Sequence, residues 1–347
     1  MAHDLELELT RLGALVDDWT RDALRDSISP EADRLRALLE YHLGWRGSDL
    51  ELLETPAPAG KKLRPALVLL TCEAVAGEIT APAREAAVAI ELIHNFSLVH
   101  DDIQDRSELR RHRPTVWTLW GMPQGINAGD ALFALAQTVI VGSGTSLAAE
   151  MARELNTTAL QLAEGQFLDI DLQQGETPVT PAAYETMVTR KTGVLFATAC
   201  RLGAMAGGAD AARQHAYAAY GRELGIAFQE QDDLLGVWGS SSETGKPDAA
   251  DIVERKRGLP AALALSRADA PEWLRALYGA PGDADVDAES VDRVTAHFDA
   301  LGLRQLVEQR VAERYQAALS YLDTAAPCEP WRGYLTAVCE ALVARRT

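Results

Sequence analysis

The stretch from Glu91 to Trp117, ELIHNFSLVHDDIQDRSELRRHRPTVW, ends an apolar helical run on three acids and follows them with a basic pair. Phe96, Leu98 and Val99 read as buried, and carboxylates placed next to a buried run need partners. Asp101 and Asp105 stand four apart, so on a helix they project from one face a turn apart, with Asp102 beside them. Like charges that close repel, and a divalent cation between them removes the repulsion. Hard carboxylate oxygens on one side of a pocket suit Mg²⁺, which keeps waters and takes its remaining ligands from a phosphorylated substrate. Arg110 and Arg111 follow, and guanidinium groups match phosphate oxygens in a bidentate fork. The segment reads as a diphosphate site. The competing reading is an acidic helix face in water.

Composition narrows the class. The 347 residues are 47% hydrophobic, enough for a large core, and carry a formal net charge of -18. That charge disfavours nucleic acid, whose phosphates need a basic surface, and leaves no basic amphipathic patch for anionic lipid. Glycine and proline cluster in a few places between long helical periodicities, which predicts an all-α chain. There is no solenoid repeat and no linker long enough to force a boundary, so a single domain over 1–347 is expected. Cys72, Cys200, Cys328 and Cys339 are scattered and read as reduced thiols in a cytoplasmic protein. The N-terminus, MAHDLELELTRL, is acidic where a signal peptide is basic. No uninterrupted run reaches the roughly 18 apolar residues of a membrane span, so no membrane insertion is expected.

Apolar spacing predicts helices over about 5–26, 30–45, 65–76, 82–105, 126–141, 147–172, 184–206, 211–238, 291–322 with a break near Gly302, and 331–346. The 211–238 helix ends much as the first acidic stretch does. Phe228-Gln229-Glu230-Gln231-Asp232-Asp233 closes an apolar run on two acids, with Gln229 one turn before Asp232. The position four after Asp232 is Gly236, so this cluster offers fewer oxygens. A helix-end charge pair is the plain alternative.

Lys191, Lys246 and Lys256 are candidates for the other side of a diphosphate, although a lone lysine is usually a surface residue. The loop around Lys246 is not a P-loop. SSSET separates Gly239 from Gly245 where four residues are needed, and Pro247 follows the lysine in place of Ser or Thr. Lys61 and Arg64 precede a helix opened by Pro65, where anions are favoured. His94 lies seven before Asp101, two turns back on the same face. A core histidine satisfied by backbone is the alternative for that residue.

Taken together the chain resembles the trans-type isoprenyl diphosphate synthases, the polyprenyl synthetase family, from about Gly60 to Pro260. The stretches that carry the resemblance are GKKLRP (Gly60 to Pro65), HNFSLVHDDIQD (His94 to Asp105), RRHRPTVW (Arg110 to Trp117), NAGD (Asn127 to Asp130), EGQ (Glu164 to Gln166), KTG (Lys191 to Gly193), FQEQDD (Phe228 to Asp233), GK (Gly245, Lys246) and KRGLP (Lys256 to Pro260). The resemblance implies an antiparallel helix bundle around a central cavity, usually a homodimer. It further implies that Asp101, Asp105 and Asp232, with Asp102 close by, serve the Mg²⁺ bound to an allylic diphosphate. Arg110, Lys191, Thr192, Gln229, Lys246 and Lys256 would hold that diphosphate, and Lys61, Arg64, His94 and Arg111 would hold isopentenyl diphosphate. Gly236 replaces the last acid of the second motif, and Gly258 stands where Thr is common.

The implied chemistry needs no side-chain nucleophile. Metal and cations absorb the charge of the leaving diphosphate, apolar walls shield the allylic cation, and the double bond of isopentenyl diphosphate attacks it. Phe96 and Ser97, just before the first acids, would set product length. One aromatic there resembles members that make geranylgeranyl diphosphate, with farnesyl diphosphate next. A terpene cyclase on the same fold is the nearest rival, and a non-catalytic helical partner subunit the more distant one.

Overall fold

The computed structural model describes residues 2–58, 60–175, 177–239, 248–279 and 286–343. Among the described residues the regular secondary structure is helical apart from one two-stranded ribbon and an isolated bridge. In chain order the main helices are α1 (Ala2–Ser27), α2 (Asp33–His42), α3 (Leu63–Ala76), α4 (Ala81–Gln104), α5 (Val116–Trp120), α6 (Met122–Gly142), α7 (Ala148–Gln174), α8 (Pro181–Val188), α9 (Val194–Ala206) and α10 (Ala211–Trp238). Helices Ala250–Val253, Leu259–Leu265, Glu272–Gly279, Ala288–Ala300, Leu303–Ala325 and Trp331–Val343 follow. Residues group into two compact units: Met1–Ala159 with Thr198–Tyr217 and Ala326–Leu335, and Leu160–Ala197 with Ala218–Ala325 and Thr336–Thr347.

In the first unit α3 and α4 form the core. Ala66 to Leu70 of α3 are almost wholly buried, as expected of a helix that is apolar all round. Gly77 ends α3 at φ 82°, its N–H bonded to the Glu73 carbonyl at 2.8 Å, a conformation that favours glycine. Thr80 caps α4 by accepting from the Ala83 N–H at 3.4 Å, and Pro82 occupies the first turn. The apolar part of α4, from Ala86 to Ile93, is buried. Exposure then rises toward Asp105, which closes the helix.

Helix α6 begins at Met122, four residues ahead of the expected start, because Pro123 falls in the first turn, where a missing N–H costs nothing. Averaged along its length α6 is apolar and long enough to cross a membrane, although Asp130 interrupts its apolar run. The expected helix over 30–45 is a 3₁₀ turn, Pro30–Ala32, followed by α2.

In the second unit the expected helix over 184–206 starts earlier, at Pro181, and is broken by a π-helical turn at Thr189–Gly193. A separate apolar cluster, with Ile252, Leu274, Val294, Phe298 and Leu303 at its centre, supports the 248–303 region. The break near Gly302 is present, with Gly302 at φ 67°. None of the four cysteines is paired with another, and all but Cys328 are buried.

Candidate active site

The basic pair sits on a ribbon that the apolar pattern does not announce. Strands Leu109–Arg110 and Arg113–Pro114 pair antiparallel, leaving Arg111 and His112 as the turn. Both turn residues have positive φ, 52° and 62°, the sign pattern of a type I′ hairpin that Gly and Asn usually occupy. Non-glycine residues held there store strain. Arg113 pins the ribbon in place, donating to the carbonyls of Tyr41 at 3.0 Å and Arg46 at 2.6 Å while stacking over the Tyr41 ring.

Arg111 reaches back to the GKKLRP segment. A Cβ at Gly60 would lie 2.9 Å from its guanidinium nitrogen, and Gly60 has φ +85°, so close approach and backbone both require glycine. Arg64 at the start of α3 donates to His94 Nε2 at 3.2 Å. An arginine can only donate, so His94 is a neutral imidazole with its proton on Nδ1. Burial, then the charges of Arg64, Arg111 and Arg110, hold its pKa well below the usual value. His42 of α2 is a second neutral histidine, pushed down to about 3 by burial and then by Arg110 and Arg111. The structure thus brings Arg64, His94, Arg110 and Arg111 into one cationic cluster, with exposed Lys61 leading into it.

The acids of the first motif divide in two. Asp102 is buried, 2% exposed, and accepts from Arg110 Nε at 2.7 Å. Burial lifts its pKa to about 6 against the pull of Arg110. Asp101 is partly exposed and Asp105, at the C-cap of α4, is exposed. Acids at a helix C-terminus oppose the macrodipole, so their charge does not favour the end of α4.

In the second unit the EGQ stretch of α7 lies against the π turn. A Cβ at Gly165 would lie 2.3 Å from the Lys191 backbone nitrogen. Glu164 pairs with Arg190, and Asp169 accepts from Lys191 Nζ at 2.5 Å. Gly225 of α10 packs with its own ideal Cβ position 3.0 Å from the Gly193 Cα. These close approaches account for the glycines of EGQ and KTG, and the wide turn between them carries Lys191 and Thr192.

Thr192 Oγ1 donates to Gln229 Oε1 at 3.2 Å, and Gln229 Nε2 donates to Asp233 Oδ1 at 3.1 Å. The sequence groups Gln229 with Asp232, whereas its amide is bonded to Asp233, four residues along the helix. Asp233 is 1% exposed and also accepts from Lys256 Nζ at 3.0 Å and the Leu259 N–H at 2.9 Å. Burial alone raises a carboxyl pKa, but the Lys256 charge and these donors hold Asp233 below its ordinary value. Lys256 donates as well to Asp251 Oδ2 at 3.2 Å, so the ammonium expected on the diphosphate is engaged by two carboxylates.

Gly236 and Gly258 both gain a reason. A Cβ at Gly236 would lie 2.3 Å from the Asp251 carboxylate, and one at Gly258 would lie 2.8 Å from Asp233 Oδ2. An acid at 236 has no room beside Asp251. Asp232, on the other side of the pair, is partly exposed. Lys246 lies outside the described residues.

Among the described residues no three His, Cys, Asp or Glu side chains form a ready-made metal cage. Asp101 and Asp105 offer hard oxygens for part of a shell, the arrangement Mg²⁺ accepts when substrate phosphates complete it. Sequence reading named Asp233 only as half of an acidic pair and gave Asp169 and Asp251 no role. Asp169 follows Gln166 by three residues in α7, and that helical spacing beside EGQ is the signal that could have found it.

Residues 50–295 match the family model described as polyprenyl synthetase. The chain is 39% identical over 304 residues to a geranylgeranyl diphosphate synthase of Mycobacterium tuberculosis strain H37Rv, covering 87% of this chain and 85% of that one. It is 40% identical over 256 residues to a (2E,6E)-farnesyl diphosphate synthase of the same strain, covering 73% and 70%. The crystal structure of a polyprenyl synthetase from Streptomyces coelicolor A3(2) aligns with a TM-score of 0.88 at 34% identity, over 97% of this chain and 99% of that one. The chain therefore belongs to the polyprenyl synthetase family and is a short-chain trans-prenyltransferase.

Proposed function

We propose that the enzyme condenses isopentenyl diphosphate with an allylic diphosphate, with geranylgeranyl diphosphate as the favoured product and farnesyl diphosphate next. The observation that carries this reading is the cluster of Arg64, His94 and Arg111 beside the first acidic motif. Ionising an allylic diphosphate does not require a second set of cations; holding a second diphosphate does. The neutral imidazole of His94 contributes a hydrogen-bond donor without adding a charge, and Lys61 and Arg111 contribute the charge.

Asp101, Asp105 and Asp232 are the proposed Mg²⁺ ligands, each the more exposed acid of its motif. Bound there, Mg²⁺ supplies neutralisation of the charge that develops on the departing diphosphate. Arg110 and Lys191 orient the allylic diphosphate, with Thr192 and Lys246 beside it. Asp102 fixes the direction of Arg110 and Asp169 that of Lys191. Gln229 and Lys256 act one step back by holding Asp233. Phe96 packs against Phe133 at 5.4 Å and His100 at 5.0 Å between ring centroids, a rigid aromatic group suited to stop a growing chain. The relative named for geranylgeranyl diphosphate supports this product and the one named for farnesyl diphosphate its neighbour.

The enzyme works from the aqueous side, in the cytoplasm, as one functional domain and as a homodimer. Exposed Met122, Ile126 and Val141 on α6 are apolar surface that a second copy would cover. Light scattering after gel filtration tests the dimer. The activity is tested by incubating the protein with farnesyl diphosphate, with and without isopentenyl diphosphate, in Mg²⁺ or in excess chelator. The expected result is a C20 diphosphate formed only with isopentenyl diphosphate and metal together. A cyclic hydrocarbon made from farnesyl diphosphate alone would move the protein to the cyclases.

A further inference from the structure

Lys61 and Lys62 are adjacent and behave as opposites. Lys61 is exposed, whereas the Lys62 side chain is 7% exposed and points into the first unit. Lys62 is the N-cap residue of α3 with φ 45° and ψ 38°, left-handed backbone that a non-glycine residue adopts only when its surroundings hold it there. What holds it is a pair of carboxylates. Asp17 of α1 accepts from its ammonium, and Glu91 of α4 lies 3.9 Å from it.

Both carboxylates are themselves fixed. Trp45 Nε1 donates to Asp17 Oδ1 at 3.1 Å, and the Lys62 ammonium lies 6.0 Å from the Trp45 ring centre. Glu91 is 4% exposed, and its Oε1 accepts from Asn95 Nδ2 at 3.0 Å. Asn95 Oδ1 in turn meets His42 Nε2 at 3.1 Å. Glu91 Oε2 is buried with no hydrogen-bond partner among the described residues. The buried carboxylate of Glu91 is therefore answered by Lys62 and by Arg111, whose pKa burial lowers against the pull of Glu91. The chain Asp17, Lys62, Glu91, Asn95 and His42 ties α1, α2, α3 and α4 together beneath the cationic cluster. Asp17 lies outside residues 50–295, so the family match does not reach the residue that completes it.

We propose that Lys62 is a positioning residue for isopentenyl diphosphate: anchored by Asp17 and Glu91, it sets the left-handed turn from which Lys61 and Arg64 meet the substrate. This rests on the reading of those cations given under the proposed function. Lys62 touches no reacting atom. Its effect falls on the binding of one substrate, because the other is held by Arg110 and Lys191 on different elements.

The test measures isopentenyl diphosphate binding by calorimetry, and KM and kcat for both substrates, in the wild type and in Lys62→Met, Lys62→Arg and Asp17→Asn. Loss of a charge-assisted anchor predicts about a tenfold weaker affinity and higher KM for isopentenyl diphosphate in Lys62→Met. KM for the allylic substrate and kcat should change by less than about threefold, and Lys62→Arg should restore binding because its fork reaches both carboxylates. Asp17→Asn separates positioning from simple charge. Removing a negative charge would tighten binding of an anion if Lys62 acted only as a distant charge, whereas loss of the anchor weakens it. Tighter or unchanged binding in Asp17→Asn, or equal loss for both substrates in Lys62→Met, overturns the inference while leaving the proposed function standing. No binding of isopentenyl diphosphate by the wild type overturns both.

Discussion

Replacing His42 by Gln removes a source of acid sensitivity in the first unit, and the size of the effect follows from what surrounds the ring. His42 lines a small cleft with Asp102, Arg110, Arg111 and Arg113. The Asn95 amide donates to Glu91, so its oxygen must accept from His42 Nε2–H. Burial and then the charges of Arg110 and Arg111 push the pKa from 6.5 to about 3. In the unfolded chain the same group titrates near 6.5. Between these values the unfolded state binds one more proton, so the neutral ring's contribution is complete above the unfolded pKa. It falls away as pH drops from 6.5 toward 3. From pH 7 to pH 5 the loss is about 2 kcal/mol. His94 adds to the loss and Asp102, with its raised pKa, opposes it, but both are common to the two proteins. A Gln at 42 keeps an N–H for Asn95 and does not titrate. Urea unfolding followed by far-UV circular dichroism at pH 7 and pH 5 should show His42→Gln losing about 2 kcal/mol less than the wild type. Parallel losses in the two proteins would refute the account of a neutral, buried His42.

Other changes probe the rest of the site. Gly60→Ala meets both the positive φ and Arg111; a stability loss of about 1–2 kcal/mol from the backbone should come with a raised KM for isopentenyl diphosphate, read by thermal unfolding and steady-state kinetics. Lys256→Met leaves the carboxylates of Asp233 and Asp251 buried without their shared cation, and a loss of about 3–5 kcal/mol is expected. A melting temperature within error of the wild type would show that the pair is held in another way. Phe96→Ala opens space beside Phe133 and His100 and should lengthen the products by one or more five-carbon units on chromatography. An unchanged product distribution would place the floor elsewhere.

The helices were legible because their apolar spacing is long and their ends are marked. Thr80 with Pro82 and the glycines at 77 and 302 state where chains turn. The first motif was legible for the same reason, since acids at the end of a buried helix stand out. The ribbon was not, because its turn uses Arg111 and His112 where pattern reading looks for Gly or Asn. The network under the cations was also invisible. Asp17, Lys62 and Glu91 are far apart in sequence, and each alone looks like an ordinary surface charge. Their meaning lies in burial, which spacing does not report. Lys256 was read as a substrate ligand because a lysine's charge is visible in the sequence and its two carboxylates are not.

The two acidic pairs share one construction, and helix geometry explains why. Adjacent helical residues point about 100° apart, so two neighbouring aspartates face different surroundings. In each pair the first, Asp101 or Asp232, is partly exposed, and the second, Asp102 or Asp233, is buried at 2% and 1%. The buried acid takes a cation from later in the chain, Arg110 in one case and Lys256 in the other. A buried carboxylate without a partner is strongly destabilising, and so is a buried cation. Pairing them fixes the ribbon against α4 in the first unit and the segment before Leu259 against α10 in the second. The consecutive aspartates are thus a division of labour: the inner acid holds in place the basic segment that follows it, and the outer acid stays toward solvent, where the proposed metal would meet it.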